Sequence, residues 1–240
     1  MTTLYGWGPM FGARGPSPFV LKTDIQLQML GVAFDRKIAN LDAVKKHKAP
    51  YVEHEQELIE DSNFIRWRFE NIQGKTLDAG LSEAQRAASW ALERMLELGL
   101  LFVLVHERWL EDDNFNKGPA QFFAAAPAPV RQQIIDETRG DLRAMLDRHG
   151  VGRHSREERM QLAARDVAAL SAILGEKSFL FSDAPTGADA TAYGMIASCA
   201  APLFETPLIS LVERHANLAP YLARMEARFF NDARWPSMAA

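Results

Sequence analysis

Two short segments constrain this chain more than any others: Lys48-Ala49-Pro50-Tyr51-Val52, and Ile59-Glu60-Asp61-Ser62-Asn63-Phe64-Ile65 soon after it. An X-Pro bond leads into a β-prone run, and the residue before a proline is itself pushed toward extended backbone. The acid–Ser pair then stands where a helix begins. An oxygen there accepts from backbone N–H groups of the first turn that have no partner inside the helix. Tyr51-Val52-Glu53 and Glu57-Leu58-Ile59 read as a hairpin whose turn lacks the usual glycine. After Ser62, Phe64, Ile65, Phe69 and Ile72 recur at helical spacing.

Upstream, Thr3-Leu4-Tyr5-Gly6-Trp7 is a β-prone run ended by Gly8-Pro9. A Gly/Pro-rich loop runs to Pro16, and Ser17-Pro18-Phe19 opens a helix. Ser is a favoured N-cap, and proline is tolerated at the first helical position because its missing N–H would be unpaired anyway. Gly31 reads as the stop of that helix, and Val32 to Ile38 as a second strand. The order β-α-β-α-β-β-α follows for residues 1–76.

From residue 81 to 240 the pattern is all helical. Ser82-x-x-Gln85 is a capping box opening a long amphipathic run to about Leu110. Further helices are expected over 128–149, 155–174 and 187–200, and in one or two pieces over 208–230. Ser155-x-x-Glu158 and Thr186-x-x-Asp189 take capping positions, the acidic residues lying near positive helix ends. Gly74 to Gly80 reads as the linker.

With 48% hydrophobic and 24% charged residues, the composition is that of an ordinary globular protein. A net charge of −4 gives no nucleic-acid footprint. The longest strongly apolar stretch, Leu98 to Val105, is far too short to span a bilayer. A single cysteine, Cys199, excludes an internal disulfide and fits a reducing compartment. No secretory signal pattern precedes the first strand, and a cytoplasmic location is expected. Cys199 lies in an apolar helix and reads as an inert core thiol. His47 and His54 lack metal-ligand spacing, and His106-Glu107 are helix neighbours that do not share a face. Arg153-His154 reads as part of a turn. No GxGxxG, P-loop, HExxH or nucleophile elbow occurs. No metal is expected.

An α/β thioredoxin-like module followed by an all-α domain resembles the glutathione S-transferases. Ser17-Pro18-Phe19, Ala49-Pro50-Tyr51, Asp61-Ser62 and Pro185-Thr186-Gly187-Ala188-Asp189 carry the resemblance. The long loop before Ser17 and the stretch Gly150-Val151-Gly152-Arg153-His154-Ser155 are similar to the metaxin and failed-axon-connections branch. That branch often has a cysteine where this chain has Val20, so any thiol chemistry must come from a ligand.

The resemblance implies glutathione as co-substrate, a cis Ala49–Pro50 bond whose Ala49 backbone pairs with the cysteinyl part, and Asp61 and Ser62 holding the γ-glutamyl carboxylate. It also implies Ser17 as donor to the thiolate, with Tyr5 the alternative hydroxyl. Ser17 and the Asp61-Ser62 pair read equally as N-caps, and Asp61 as a residue that fixes its loop. Trp7, Met10, Phe11, Trp109 and Phe115 are candidate linings for a small hydrophobic electrophile, though aromatic residues at helical spacing usually pack as core. Three functions stay open: a dimeric, detoxifying transferase, a non-catalytic assembly module that keeps the fold, or a glutathione-dependent reductase or lyase, the last disfavoured as a glutaredoxin-type exchanger because no cysteine stands near the helix start.

Overall fold

The computed structural model describes residues 1–231, 235 and 236. Strand β1 (Thr2–Gly6) is followed by helix α1 (Pro18–Met29), strands β2 (Asp35–Ile38), β3 (Tyr51–His54) and β4 (Glu57–Glu60), and helix α2 (Ser62–Gln73). The sheet order is β2-β1-β3-β4, with β1 parallel to β2 and antiparallel to β3, and β3 antiparallel to β4. This is a thioredoxin-like sheet with one helix of the expected order missing. Only the 3₁₀ turn Leu41–Ala43, capped by the Asn40 side chain, stands between β2 and β3. The second strand is also shorter than its apolar start suggested. Pairing begins at Thr3 opposite Asp35, while Val32 and Phe34 pack into the core beneath the sheet.

The hairpin turn without glycine is made by Glu55 and Gln56, both in the left-handed region at φ 49° and 73°. Ser17 caps α1, its Oγ accepting from the Val20 N–H at 3.4 Å, with Pro18 at the first helical position. Past the end of α1, Gly31 takes φ 74° and donates its N–H to the Gln28 carbonyl. At α2 the cap is Asp61, whose Oδ1 accepts from the Asn63 N–H at 3.0 Å, and Ser62 is the first helical residue.

The second half holds α3 (Glu83–Met95), α4 (Leu101–Trp109), α5 (Asp112–Lys117), α6 (Ala128–His149), α7 (Arg156–Leu174), α8 (Gly187–Cys199), α9 (Pro207–Glu213) and α10 (Leu218–Phe229). A π-helical turn, Leu96–Leu100, fuses α3 and α4 into the long run foreseen from Ser82. Capping boxes start α3, α7 and α8. At α8, Asp189 ties together Thr186, the Leu180 N–H and the Tyr221 hydroxyl. Helix α5 and the 3₁₀ turn Pro119–Phe123 were not foreseen.

Two large cores result, Leu4, Leu27, Val52, Ile65 and Phe69 under the sheet, and a larger one among the helices that takes in Leu21 and Ile25 of α1, beside a small cluster of Phe11, Ala201 and Phe204. Helix α1 is thus covered on both sides. Its approach to α8 depends on Gly194, where a Cβ would sit 2.3 Å from the Pro18 carbonyl oxygen. Among the described residues, no helix is long and apolar enough to cross a membrane.

Candidate functional site

A cleft of about 290 Å³ lies between the sheet module and the long helix. One wall is Lys48, Ala49, Pro50, Asp61, Ser62 and Asn63. The other is Arg94, Glu97, Leu98, Leu101 and Phe102, with Phe19 of α1 between them. The four residues singled out as a glutathione-binding set therefore share one surface. The Ala49–Pro50 bond is cis. Among the described residues, no hydrogen bond uses the Ala49 N–H or C=O. Ser62 is buried at the first turn of α2. Asp61 Oδ2 accepts from Lys48 Nζ at 2.7 Å. Burial pushes the Asp61 carboxyl up, but Lys48, the Asn63 N–H and Lys46 outweigh it and leave the group below its ordinary range.

Sequence reasoning missed the buried charged network behind this cleft, which reaches its lining at Asn63, Arg94 and Glu97. Lys22 is 0% exposed and donates to Asn63 Oδ1 at 2.8 Å and to Glu97 Oε1 at 2.6 Å, with Glu93 Oε2 3.5 Å away. Glu97 also pairs with Arg94. Glu93 accepts from Thr191 Oγ1 at 2.6 Å and from Arg66 at 3.1 Å, and Arg66 reaches Glu70 and Asp78. Burial depresses the Arg66 pKa, yet Glu93, Asp78 and Glu70 overcome this and raise it. Asp78 Oδ1 in turn accepts from the Gly187 N–H that opens α8. Lys22 and Asp24, the only charged residues of α1, are the one sequence signal that could have exposed the network.

The two candidate hydroxyls differ. Ser17, half-buried, accepts from Val20 N–H, and among the described residues its hydroxyl donates to nothing; it does not itself line the cleft, which Phe19, two residues on, does. Tyr5 donates to Glu53 Oε2 at 2.9 Å and stacks on Tyr51 at 4.6 Å. Burial and Glu53 raise its pKa, the direction opposite to that of an activated donor.

Trp7, Met10, Phe11, Trp109 and Phe115 gather around Phe122 and Phe123. Trp7, Phe11 and Trp109 lie 5.7, 5.9 and 6.2 Å from Phe122, and Phe115 lies 6.2 Å from Phe123. Met10 packs on the same group. None of the five lines the cleft, whose apolar residues are Phe19, Leu98, Leu101 and Phe102. Their common centre comes from the unforeseen turn at 119–123.

Cys199 is fully buried, and burial pushes its thiol up to about 12. His106 and Glu107, expected to face apart, come within 4.8 Å of each other and of Glu111 at their ligand atoms. Both Glu107 oxygens are engaged, by Arg156 and Thr206, and Glu111 faces Arg159. A cation there would meet arginines.

Models of the glutathione S-transferase N-terminal and C-terminal domains match residues 18–114 and 163–225. The chain is 30% identical to an isoprene-epoxide glutathione S-transferase of Rhodococcus, over 95% of this chain and 99% of that protein. It is 29% identical to Failed axon connections of Drosophila melanogaster, over 90% of this chain and 55% of that longer protein. Human metaxin-2 is 21% identical, over 77% of this chain and 71% of that protein. Among solved structures, β-etherase LigF from Sphingobium superposes with a TM-score of 0.67 at 16% identity, covering 95% of each chain. A glutathione S-transferase of Methylobacterium radiotolerans in complex with glutathione sulfonate gives 0.63 at 17% identity, over 100% of this chain and 97% of that one. At such identities these superpositions speak to the fold alone. With a cis proline and a capped helix facing one cleft, and matches at both ends, the chain belongs to the glutathione S-transferase family, in the branch of Failed axon connections and metaxin-2.

Proposed function

We propose that this protein is a glutathione transferase that binds glutathione in the cleft, stabilises its thiolate and conjugates it to a small hydrophobic electrophile. The observation that carries the reading is that Ala49, Pro50, Asp61 and Ser62, separated in sequence, form one wall of a cleft whose opposite wall is partly apolar. The Ala49 backbone pairs with the cysteinyl part of the ligand as an added strand would. The α2 N–H groups and Ser62 take the γ-glutamyl carboxylate. Similarity to an enzyme named for isoprene epoxide supports a small epoxide as electrophile.

A thiol has a pKa near ~8.5, and the thiolate is the nucleophile. Lowering that value by about two units takes roughly 2.7 kcal/mol of preferential thiolate stabilisation. Ser17 supplies part of it by donating its hydroxyl proton to the sulfur while continuing to cap α1, and the start of α1 adds its dipole. In conjugation the sulfur forms a bond to the electrophilic carbon, and the departing group, or the epoxide oxygen, takes the electron pair. The enzyme acts as a detoxifying catalyst in the cytoplasm.

It works as a homodimer through a strip that α2 and α3 leave exposed. Phe64, Trp67 and Trp90 stand there side by side, Phe64 to Trp67 at 5.4 Å and Trp67 to Trp90 at 6.2 Å. The same strip, with Val20 in place of a cysteine and the similarity to metaxin-2, supports a second reading as a non-catalytic assembly module.

A calorimetric glutathione titration, with thiolate ultraviolet absorbance read on the same samples, separates the two. A transferase binds and shows the thiolate band near neutral pH; an assembly module shows neither. In the first case Ser17→Ala loses the band while affinity stays, and Ser62→Ala weakens binding about tenfold.

A further inference from the structure

Arg94 stands on the α3 wall of the cleft, facing the wall that holds Ser62 and Asn63. Two contacts fix it. Its guanidinium lies 4.3 Å from the centre of the Trp90 ring, it pairs with Glu97 through Nη2, and its side chain is 27% exposed. Glu97 is itself held by buried Lys22, which also faces Glu93, so Arg94 shares its carboxylate partner with a second cation. Among the described residues, neither Arg94 Nε nor Nη1 donates to anything, and Nε is buried. A guanidinium carries five donors in a rigid fork matched to a carboxylate, so a fixed one with spare donors is a ready anion site.

The position of that site follows from Lys22. The ammonium joins Glu97, Arg94's partner, to Asn63 in the first turn of α2. Arg94 of one wall thereby stands across from the start of α2, where Asp61 takes the Asn63 N–H but, among the described residues, the Ser62 and Phe64 N–H groups have no partner. We infer that Arg94 is a specificity-determining residue, which together with the α2 N-terminus clamps the α-carboxylate of a ligand's γ-glutamyl group. This rests on the glutathione reading of the cleft and adds to it a charged anchor from the chain's own helical half. The ligands selected are thiols bearing a terminal amino-acid carboxylate, in preference to uncharged thiols.

The test is calorimetry with three ligands. These are glutathione, γ-glutamylcysteine (which lacks the glycine), and the 4-aminobutyryl analogue of glutathione, which lacks only the α-carboxylate. Arg94→Gln should weaken glutathione and γ-glutamylcysteine alike by about 10- to 100-fold, as loss of a charged hydrogen-bond partner does. The same change should move the analogue by no more than about twofold. Arg94→Lys, which keeps the charge and the packing stem, should fall between wild type and Arg94→Gln for the two natural thiols, and it serves alone if Arg94→Gln does not fold. Equal losses for all three ligands, or a loss confined to the ligands with glycine, would overturn the assignment of the γ-glutamyl carboxylate. Unchanged glutathione affinity in a folded variant overturns the role of Arg94 and leaves the cleft reading intact. Absence of glutathione binding by the wild type sinks both.

Discussion

Two buried ionic groups sit a few turns apart on the same long helix, and they have opposite designs. At the π turn, Glu93 and Glu97 face Lys22 of α1 and Arg66 of α2, so their charges join the sheet module to the helical half. Further along, Glu107 accepts from Arg156 of α7 and from Thr206, and all three belong to the helical half. The first group borders the cleft and leaves donors of Arg94 unspent; the second is closed at Glu107, both of whose oxygens are engaged within the helical half. Joints that only hold a fold together tend to saturate their polar atoms, whereas a set that leaves a cation facing a cleft has room for a ligand.

The largest effect that sharpens this contrast is Lys22→Met. It leaves Glu93 and Glu97 buried with one cation fewer, and removing one partner of a buried pair costs about 3–5 kcal/mol. Because Lys22 also positions Asn63 and Glu97, glutathione affinity should fall with stability. Urea denaturation and calorimetry on the same preparation measure both. A change in stability with unaltered affinity would reduce the network behind the cleft to a joint like the other one.

Glu107→Gln should be milder, at about 1–2 kcal/mol. Glutamine still accepts from Thr206, and Arg156, with 42% of its side chain exposed, can return to water rather than remain buried and unpaired. Glutathione affinity should not change. If this variant were the less stable of the two, the comparison would be reversed.

The residues that make these groups explain how far the sequence could be read. Ser17, Asp61, Ser82, Ser155 and Thr186 announce helix starts because a cap is satisfied within three residues. Such local rules placed the sheet module and the long helix, while the wall that contains Pro50 and Ser62 came from the family resemblance. They do not reach Lys22, whose partners Asn63 and Glu97 lie 41 and 75 positions away. Nor do they mark a short helix such as Asp112–Lys117, which carries little periodicity. The aromatic residues Trp7, Phe11 and Trp109 were recognisable as a set, but their meeting point at Phe122 arises from that unmarked stretch. The glycine-free turn at Glu55-Gln56 shows tertiary pairing imposing a backbone that the residues would not choose.

A third charge, packed against the long helix, is the subtlest and divides the two groups by pH. Asp166 of α7 approaches the π turn, where a Cβ on Gly99 would lie 2.9 Å from its Oδ2, and burial pushes its carboxyl up to about 6. Beside Glu107, burial and then Arg159 push His106 down to about 4. Their signs oppose. The unfolded chain takes up a proton at His106 near pH ~6.5 while the folded chain resists until about 4, so that stabilisation is present above pH ~6.5 and is lost as pH falls through the window. Folded Asp166 instead binds its proton near 6, ahead of the unfolded carboxyl near ~3.9, so its contribution to stability rises as pH falls between those values. Both side chains are partly solvated, which reduces each effect to about 1 kcal/mol. Asp166→Asn should therefore stabilise the protein by about that amount at pH 7 and uncover the fall below pH ~6.5 that the aspartate masks. His106→Gln should abolish that fall. Urea midpoints at pH 7, 6, 5 and about 4.5 read both slopes. If Asp166→Asn gained nothing at pH 7 and kept the wild-type slope, the π turn would impose no charge penalty, and the difference between an open and a closed ionic group would rest on Lys22 and Arg94 alone.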